Sequence, residues 1–164
     1  MILSDKTILQ EMENGNIIID PFNRDHLNPN SVDLTLHPDF KVYEAGILDV
    51  RKPNKFWEFT IPEEGFVLEP GQVYLYACNE RIGVKKNIRA KVEGKSSLGR
   101  LGLFIHVTAG FIDTGFEGSL VLELVATRQI RIYPNMKICQ VEFARVEGDI
   151  LESYDKKAGS KYHN

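Results

Sequence analysis

Beyond its first fifteen residues the chain is a succession of short β-prone runs separated by turn-forming residues, and that spacing limits the fold more than any other feature. The runs are "NIIID" (16–20), "SVDLTL" (31–36), "FVLEPGQVYLYA" (66–77), "NIRAKVEG" (87–94), "LGLFIHVT" (101–108), "GSLVLELVA" (118–126) and "MKICQVEFARVEG" (136–148). Closely spaced runs of this composition predict a mainly β sandwich or barrel of mostly antiparallel strands. "FKVYEAGILDV" (40–50) predicts a hairpin around Ala45-Gly46. "FVLEPGQVYLYA" predicts two strands joined by a Pro70-Gly71 turn, and "YPNMK" (133–137) supplies another turn. One helix precedes the strands. In "SDKTILQEMENG" (4–15), Ser4 can cap, Asp5 suits the positive end, Ile8, Leu9 and Met12 share a face, and Gly15 is a natural stop.

With 164 residues and 43% hydrophobic content, the chain suits one compact domain over 1–164. Its formal net charge of -3 argues against a nucleic-acid polymer as partner, but leaves room for a nucleotide held by a local cluster of cations. Cys78 and Cys139 lie far apart without metal-ligand spacing and read as reduced, partly buried thiols of a cytoplasmic protein. The start "MILSDKTILQ" lacks the basic segment and long apolar core of a signal peptide, and no apolar run reaches membrane-spanning length. The expected setting is therefore intracellular, with no membrane partner. The last stretch, "SYDKKAGSKYHN" (153–164), is polar and lysine-rich, which predicts mobility.

Within "GSLVLELVA" one residue is out of place. Alternation puts Leu120, Leu122, Leu124 and Ala126 on one face and Ser119, Val121, Glu123 and Val125 on the other. Valines on both sides of Glu123 predict that the second face is covered too, and a carboxylate there needs partners or a shifted pKa. Just upstream, residues 92–118 concentrate Lys95, Ser96, Ser97, Arg100, His106, Thr108 and Asp113 among glycines. Gly94-Lys95-Ser96 matches the end of a Walker loop, but Arg89 stands where that pattern needs its first glycine and no βαβ unit follows. The chemistry of such a loop remains: glycine admits a close ligand, hydroxyls and amides donate to phosphate, and Lys and Arg neutralise charge. Ser96 and Ser97 can also cap a helical turn running into Arg100. His106 reads as structural, and Asp113-Thr114-Gly115 as a turn whose aspartate can accept from a sugar hydroxyl, with Phe116 near enough to pack on that sugar. The His-x-Glu and Pro-Cys-x-x-Cys signature of zinc deaminases is absent.

"GKSSLGRLGL", "HVTAGFID", "GFEGSLVLEL" and "AGSKY", in this order, together with the early "SVDLTL", resemble the dCTP deaminase branch of the dUTPase-like superfamily. The resemblance covers nearly the whole chain. It implies a distorted antiparallel β-barrel with a short N-terminal helix, assembled as a homotrimer with active sites between subunits. It also implies hydrolytic deamination of dCTP to dUTP and ammonia, with Mg2+ held by the triphosphate rather than by side chains, and dTTP as an inhibitor. Glu123 falls on the family's catalytic glutamate, and Ser96 and Arg100 on the residues that hold the attacking water and the base. Lys95 takes a phosphate-contact position, with Ser97 beside it. The backbone of Val107, Thr108 and Ala109 corresponds to the segment that reads the pyrimidine edge. Asp113 matches the residue that holds the 3′-hydroxyl, and Phe116 the one that crowds the 2′ position. Tyr154 and Lys161 match tail residues that close over the triphosphate, so 153–164 is expected to act as a lid. Gly110 resembles the bifunctional members, which go on to cleave dUTP to dUMP and pyrophosphate in the same site and so supply dUMP for thymidylate synthesis. A deaminase that stops at dUTP and a dUTPase alone are the alternatives.

Overall fold

The structure is a computed structural model, and it describes residues 1–158. Helix α1 (Asp5–Glu13) is followed by β1 (Ile17–Asp20), a 3-10 turn (Arg24–His26), β2 (Leu27–Asn28), β3 (Ser31–Tyr43), β4 (Phe56–Thr60), β5 (Phe66–Leu68), β6 (Val73–Val84) and β7 (Ile88–Gly94). The second half holds the single-turn helix α2 (Ser96–Gly99), then β8 (Leu103–Phe104), β9 (Phe111–Ile112), β10 (Glu117–Ala126), β11 (Ile130–Ile132) and β12 (Lys137–Arg145). Ten of these strands form one sheet in the order β8-β10-β6-β3-β12-β7-β9, with β1 beside β6 and with β2 and β4 beside β3; β5 and β11 make a separate ribbon. Each pairing among the described residues is antiparallel.

The sheet curls into a half-barrel because β3 belongs to two parts of it. Its first half pairs with β12 (Leu34 opposite Cys139) and its second with β6 and β4 (Phe40 opposite Tyr76 and Phe59), with a register shift between Leu36 and Phe40. Such a shift bends a strand and increases its twist. Residues 31–36 are buried throughout, as expected where a sheet folds over itself. A buried carboxylate pins the bend: Thr35 donates to Glu80 from both its backbone N–H and its hydroxyl, each at 2.8 Å. Leu34, Leu36, Tyr76, Ile82, Val92, Leu122, Leu124, Val141 and Phe143 fill the core.

Helix α1 forms as its sequence requires. Ser4 Oγ accepts from the Thr7 N–H at 3.4 Å, Ile8 is fully buried, and Gly15 takes the left-handed φ of +70° just past the C-terminus.

Four expectations need correction. The strand entering the first hairpin ends at Tyr43 and pairs with Phe56, so the return strand is β4 and not residues 46–50. The Pro70-Gly71 turn exists, yet the strands it joins do not pair: Leu68 of β5 lies opposite Ile130 of β11, while β6 pairs with β10. Of "LGLFIHVT" only Leu103 and Phe104 are strand. Cys78 and Cys139 are fully buried free thiols, hydrogen-bonded to each other with their sulfurs 3.7 Å apart, because both strands flank β3. The Cys139 contact and burial push the Cys78 thiol well above its usual range. No helix among the described residues is long and apolar enough to cross a membrane.

Candidate active site

Strand β7 ends at Gly94 and delivers the chain to the polar loop. Lys95 takes the N-cap position of α2, with no side-chain capping bond, and Ser96 and Ser97 lie inside the turn. The expected capping role of the two serines is therefore not met, and both are exposed. The turn is closed by the backbone alone: Leu98 and Gly99 N–H donate to the Lys95 carbonyl, and Arg100 N–H to that of Ser96. Arg100 is exposed at its end.

Two side chains outside the loop hold it. Gln140 on β12 donates to the Gly94 carbonyl at 3.1 Å and accepts from the Ser31 hydroxyl at 3.0 Å. Asp33 on β3, only 4% exposed, takes the Lys95 ammonium at 2.6 Å, the Lys137 ammonium at 3.3 Å and the Asn28 amide at 3.1 Å. Burial alone would raise the Asp33 carboxyl, but the hydrogen bond and charge of Lys95, helped by Asn28 and Lys137, outweigh it and hold the pKa below the ordinary value. Lys95, expected at a phosphate, is thus tied to Asp33 within the chain. None of Asp33, Lys137 and Gln140 was expected from the sequence. A signal existed for Asp33, since alternation in "SVDLTL" puts it on the face opposite Val32 and Leu34, as it does Glu123 in β10.

Strand β10 buries Leu120, Leu122, Leu124 and Ala126 as expected. Among the described residues its other face is only partly covered: Val121 is 60% exposed, and Glu123 and Val125 are half-buried. Oε2 of Glu123 is buried and has no hydrogen-bond partner. Tyr76, opposite Leu122 on β6, reaches the Ile105 carbonyl with its hydroxyl at 3.5 Å. Burial first, then Cys139, Cys78 and Glu123, pushes its phenol well above the usual range. A cleft of about 620 Å³ opens beside Val121, with Phe40, Tyr76 and Ala77 in its wall.

Residues 105–110 are clamped to β7 at Val92, whose N–H donates to the Gly110 carbonyl at 2.9 Å and whose carbonyl accepts from Nε2 of His106 at 2.7 Å. His106 is structural here, as expected: Nε2 donates to the Val92 carbonyl, and Nδ1 is buried without a partner. Gly110 makes the clamp possible, because a Cβ there would lie 2.7 Å from Cε1 of His106. Val107, Thr108 and Ala109 are held between these two anchors and are exposed. Asp113 opens the expected turn, its carbonyl accepting from Phe116 N–H at 3.0 Å, and its side chain is exposed. Phe116 meets Tyr154 edge-on, with ring centroids 5.9 Å apart, and Tyr154 N–H donates to the Thr114 carbonyl at 2.8 Å. The tail thus begins as an anchored turn, and Lys161 lies outside the described residues. Phe116 and Tyr154 are brought together; among the described residues no hydrogen bond or ion pair joins Glu123 to Ser96, Ser97 or Arg100.

A protein-family model described as dCTP deaminase-like matches residues 2–146. The chain belongs to the dCTP deaminase-like family. It is 48% identical over 164 residues to a "dCTP deaminase, dUMP-forming" of Hathewaya histolytica, spanning all of this chain and 92% of that one. It is 45% identical over 152 residues to a protein of the same description from Leptospira biflexa, spanning 93% of this chain and 86% of the other. Among solved structures, the 2'-deoxycytidine 5'-triphosphate deaminase of Agrobacterium tumefaciens superposes with a TM-score of 0.69 at 26% identity. The match covers 87% of this chain and 47% of that one, so this member of the family spans about half the length of the Agrobacterium protein. The EIAV dUTPase shares the fold at a TM-score of 0.51 and 17% identity, over 87% of this chain and 98% of its own.

Proposed function

We infer that this chain hydrolyses dCTP to dUTP and ammonia, and then hydrolyses dUTP to dUMP and pyrophosphate in the same site. The observation that carries the reading is the 48% identity, along the full chain, to a relative described as dUMP-forming. The unpartnered Oε2 of Glu123 supports it locally, since a buried carboxylate oxygen without a donor calls for a water or ligand group to complete it. In the first step Glu123 accepts a proton from water as its oxygen bonds to C4 of cytosine. It gives that proton to the ring nitrogen N3, then takes the proton of the new C4–OH and passes it to the amino group; C4=O forms as the C4–N4 bond breaks, and ammonia leaves. Positioned acid–base catalysis of this kind is worth about 10²- to 10⁴-fold. Ser96 and Arg100 hold the water and the base, and Arg100 stabilises the charge of the tetrahedral intermediate. The backbone at Val107, Thr108 and Ala109 reads the pyrimidine edge, Asp113 accepts from the 3′-hydroxyl, and Phe116 crowds the 2′ position.

Because Glu123 has no link to Ser96 or Arg100 within the chain, and the outer face of β10 is open, we assign these groups to neighbouring copies of a homotrimer. Lys95, Ser97, Tyr154 and Lys161 receive the triphosphate. The lysines around Asp33 suit a polyanion that carries its own Mg2+, which neutralises phosphate charge when bound; among the described residues no group of His, Cys, Asp and Glu is arranged to hold a metal. A cytoplasmic setting and inhibition by dTTP complete the reading. Incubation with dCTP and magnesium, resolved by anion exchange, tests it: dUMP and pyrophosphate should appear without free dUTP. Accumulating dUTP would mean a deaminase alone, and intact dCTP beside consumed dUTP would leave a dUTPase.

A further inference from the structure

Asp33 stands apart from the residues that carry the chemistry. It lies on β3, and its side chain is almost closed to solvent, yet it holds two ammonium groups at once. One carboxylate oxygen takes Lys95 and the other takes Lys137, while the Asn28 amide satisfies a further lone pair. A carboxylate this buried needs one cation to be neutralised. The second leaves the group with a net positive charge. Both lysines keep a path to water, with side-chain exposures of 23% for Lys95 and 41% for Lys137. Lys137 is tethered again by a bond to the Asp25 carbonyl at 3.1 Å. The loop above is fixed from the same strand, since Gln140, three residues beyond Lys137, holds the Gly94 carbonyl.

We propose that Asp33 is a positioning residue that holds the Lys95 and Lys137 ammonium groups together at the Gly94 loop, and that Lys137 is a second cation contacting the polyphosphate of the substrate. Fixing two long side chains before the ligand arrives removes rotamer freedom that binding would otherwise have to remove. A polyphosphate approaching the loop meets one surplus positive charge in a defined place. The inference rests on the nucleoside triphosphate reading above.

The test measures KM and kcat for dCTP, the affinity for inorganic tripolyphosphate by calorimetry, and inhibition by deoxycytidine, which has no phosphate. Lys137→Gln should raise both the KM and the tripolyphosphate dissociation constant about tenfold, as expected for a lost charge-assisted contact. It should leave kcat and deoxycytidine inhibition within about twofold, and Lys137→Arg should recover most of the loss. Asp33→Asn should weaken both phosphate ligands as well, and adding Lys137→Gln to it should cost less than it does alone. Unchanged tripolyphosphate affinity in Lys137→Gln overturns the inference, as does an equal loss for deoxycytidine. If the wild-type protein leaves dCTP intact yet binds tripolyphosphate through Lys137, the substrate assignment fails and the paired cations stand.

Discussion

Replacing Gly110 by alanine puts a methyl carbon 2.7 Å from Cε1 of His106, 3.0 Å from its Nε2 and 3.0 Å from the Val92 carbonyl oxygen. Gly110 is not among the residues with a left-handed φ, so the backbone accepts alanine and only the space decides. The imidazole must leave, and with it goes the 2.7 Å hydrogen bond that ties residues 105–110 to β7. Losing that bond and leaving the Val92 carbonyl short of a donor costs about 1–3 kcal/mol. In a domain of this size that lowers the melting temperature by about 3–10 °C. Differential scanning calorimetry reads the effect, and a second background isolates its cause. In His106→Ala the two contacts with the imidazole are gone and only the one with the Val92 carbonyl oxygen remains, so Gly110→Ala should cost less there than in the wild type. Turnover of dCTP should fall in Gly110→Ala by more than its unfolded fraction explains, because Val107, Thr108 and Ala109 hang between the two anchors. A melting temperature within a degree of wild type, or equal costs in both backgrounds, would refute the reasoning.

Three further outcomes follow from the same geometry. Glu123→Gln should lower kcat for dCTP by at least about 10²-fold without lowering the melting temperature, since it replaces a buried, unpartnered carboxylate oxygen by a neutral group; retained turnover, or a marked loss of stability, counts against the role given to it. Because its partners hold the folded-state pKa of Asp33 below the unfolded value of about 3.9, its contribution to stability is complete above that value and is lost as pH falls through the folded one. The stability gap between wild type and Asp33→Asn should therefore narrow on acidification from pH 6 to pH 3, and a gap independent of pH would contradict the pairing. Thr35→Val removes one of the two donors to the buried Glu80 and should cost about 1–3 kcal/mol in denaturant unfolding; an unchanged midpoint would show that Glu80 does not depend on that hydroxyl.

Much of the fold was legible because side-chain alternation reports which face of a strand is buried. It identified Leu120, Leu122, Leu124 and Ala126 as core, and all four are buried. Alternation does not report which strand pairs with which. That is why the Pro70-Gly71 turn looked like a hairpin, although β5 finds its partner in β11, some sixty residues later. The return strand of the first hairpin was missed because β4 is exposed along its length and has no apolar-in, polar-out rhythm. At the site, the polar residues of the Gly94 loop and Glu123 stood out because polar groups inside apolar runs are anomalous. Asp33 carries the same anomaly on β3, well before either in the chain. Lys137 and Gln140 carry none, since their part depends on β12 lying between β3 and β7. The covering expected over Glu123 buries Oε2, but among the described residues nothing is laid against Val121.

The double membership of β3 also sets the order in which this protein can be completed during synthesis. Its thirteen residues leave the ribosome early, but they match Leu36 to Cys78 and Leu34 to Cys139, so the second match waits for about a hundred more residues. Until β12 is made, the apolar side chains of residues 31–36 have no lasting shelter. Contacts so distant in sequence slow folding and prolong the exposure of unpaired strand edges. A nascent chain halted before Lys137 should therefore be sensitive to protease along β3, and closure of the half-barrel should be among the last events after release.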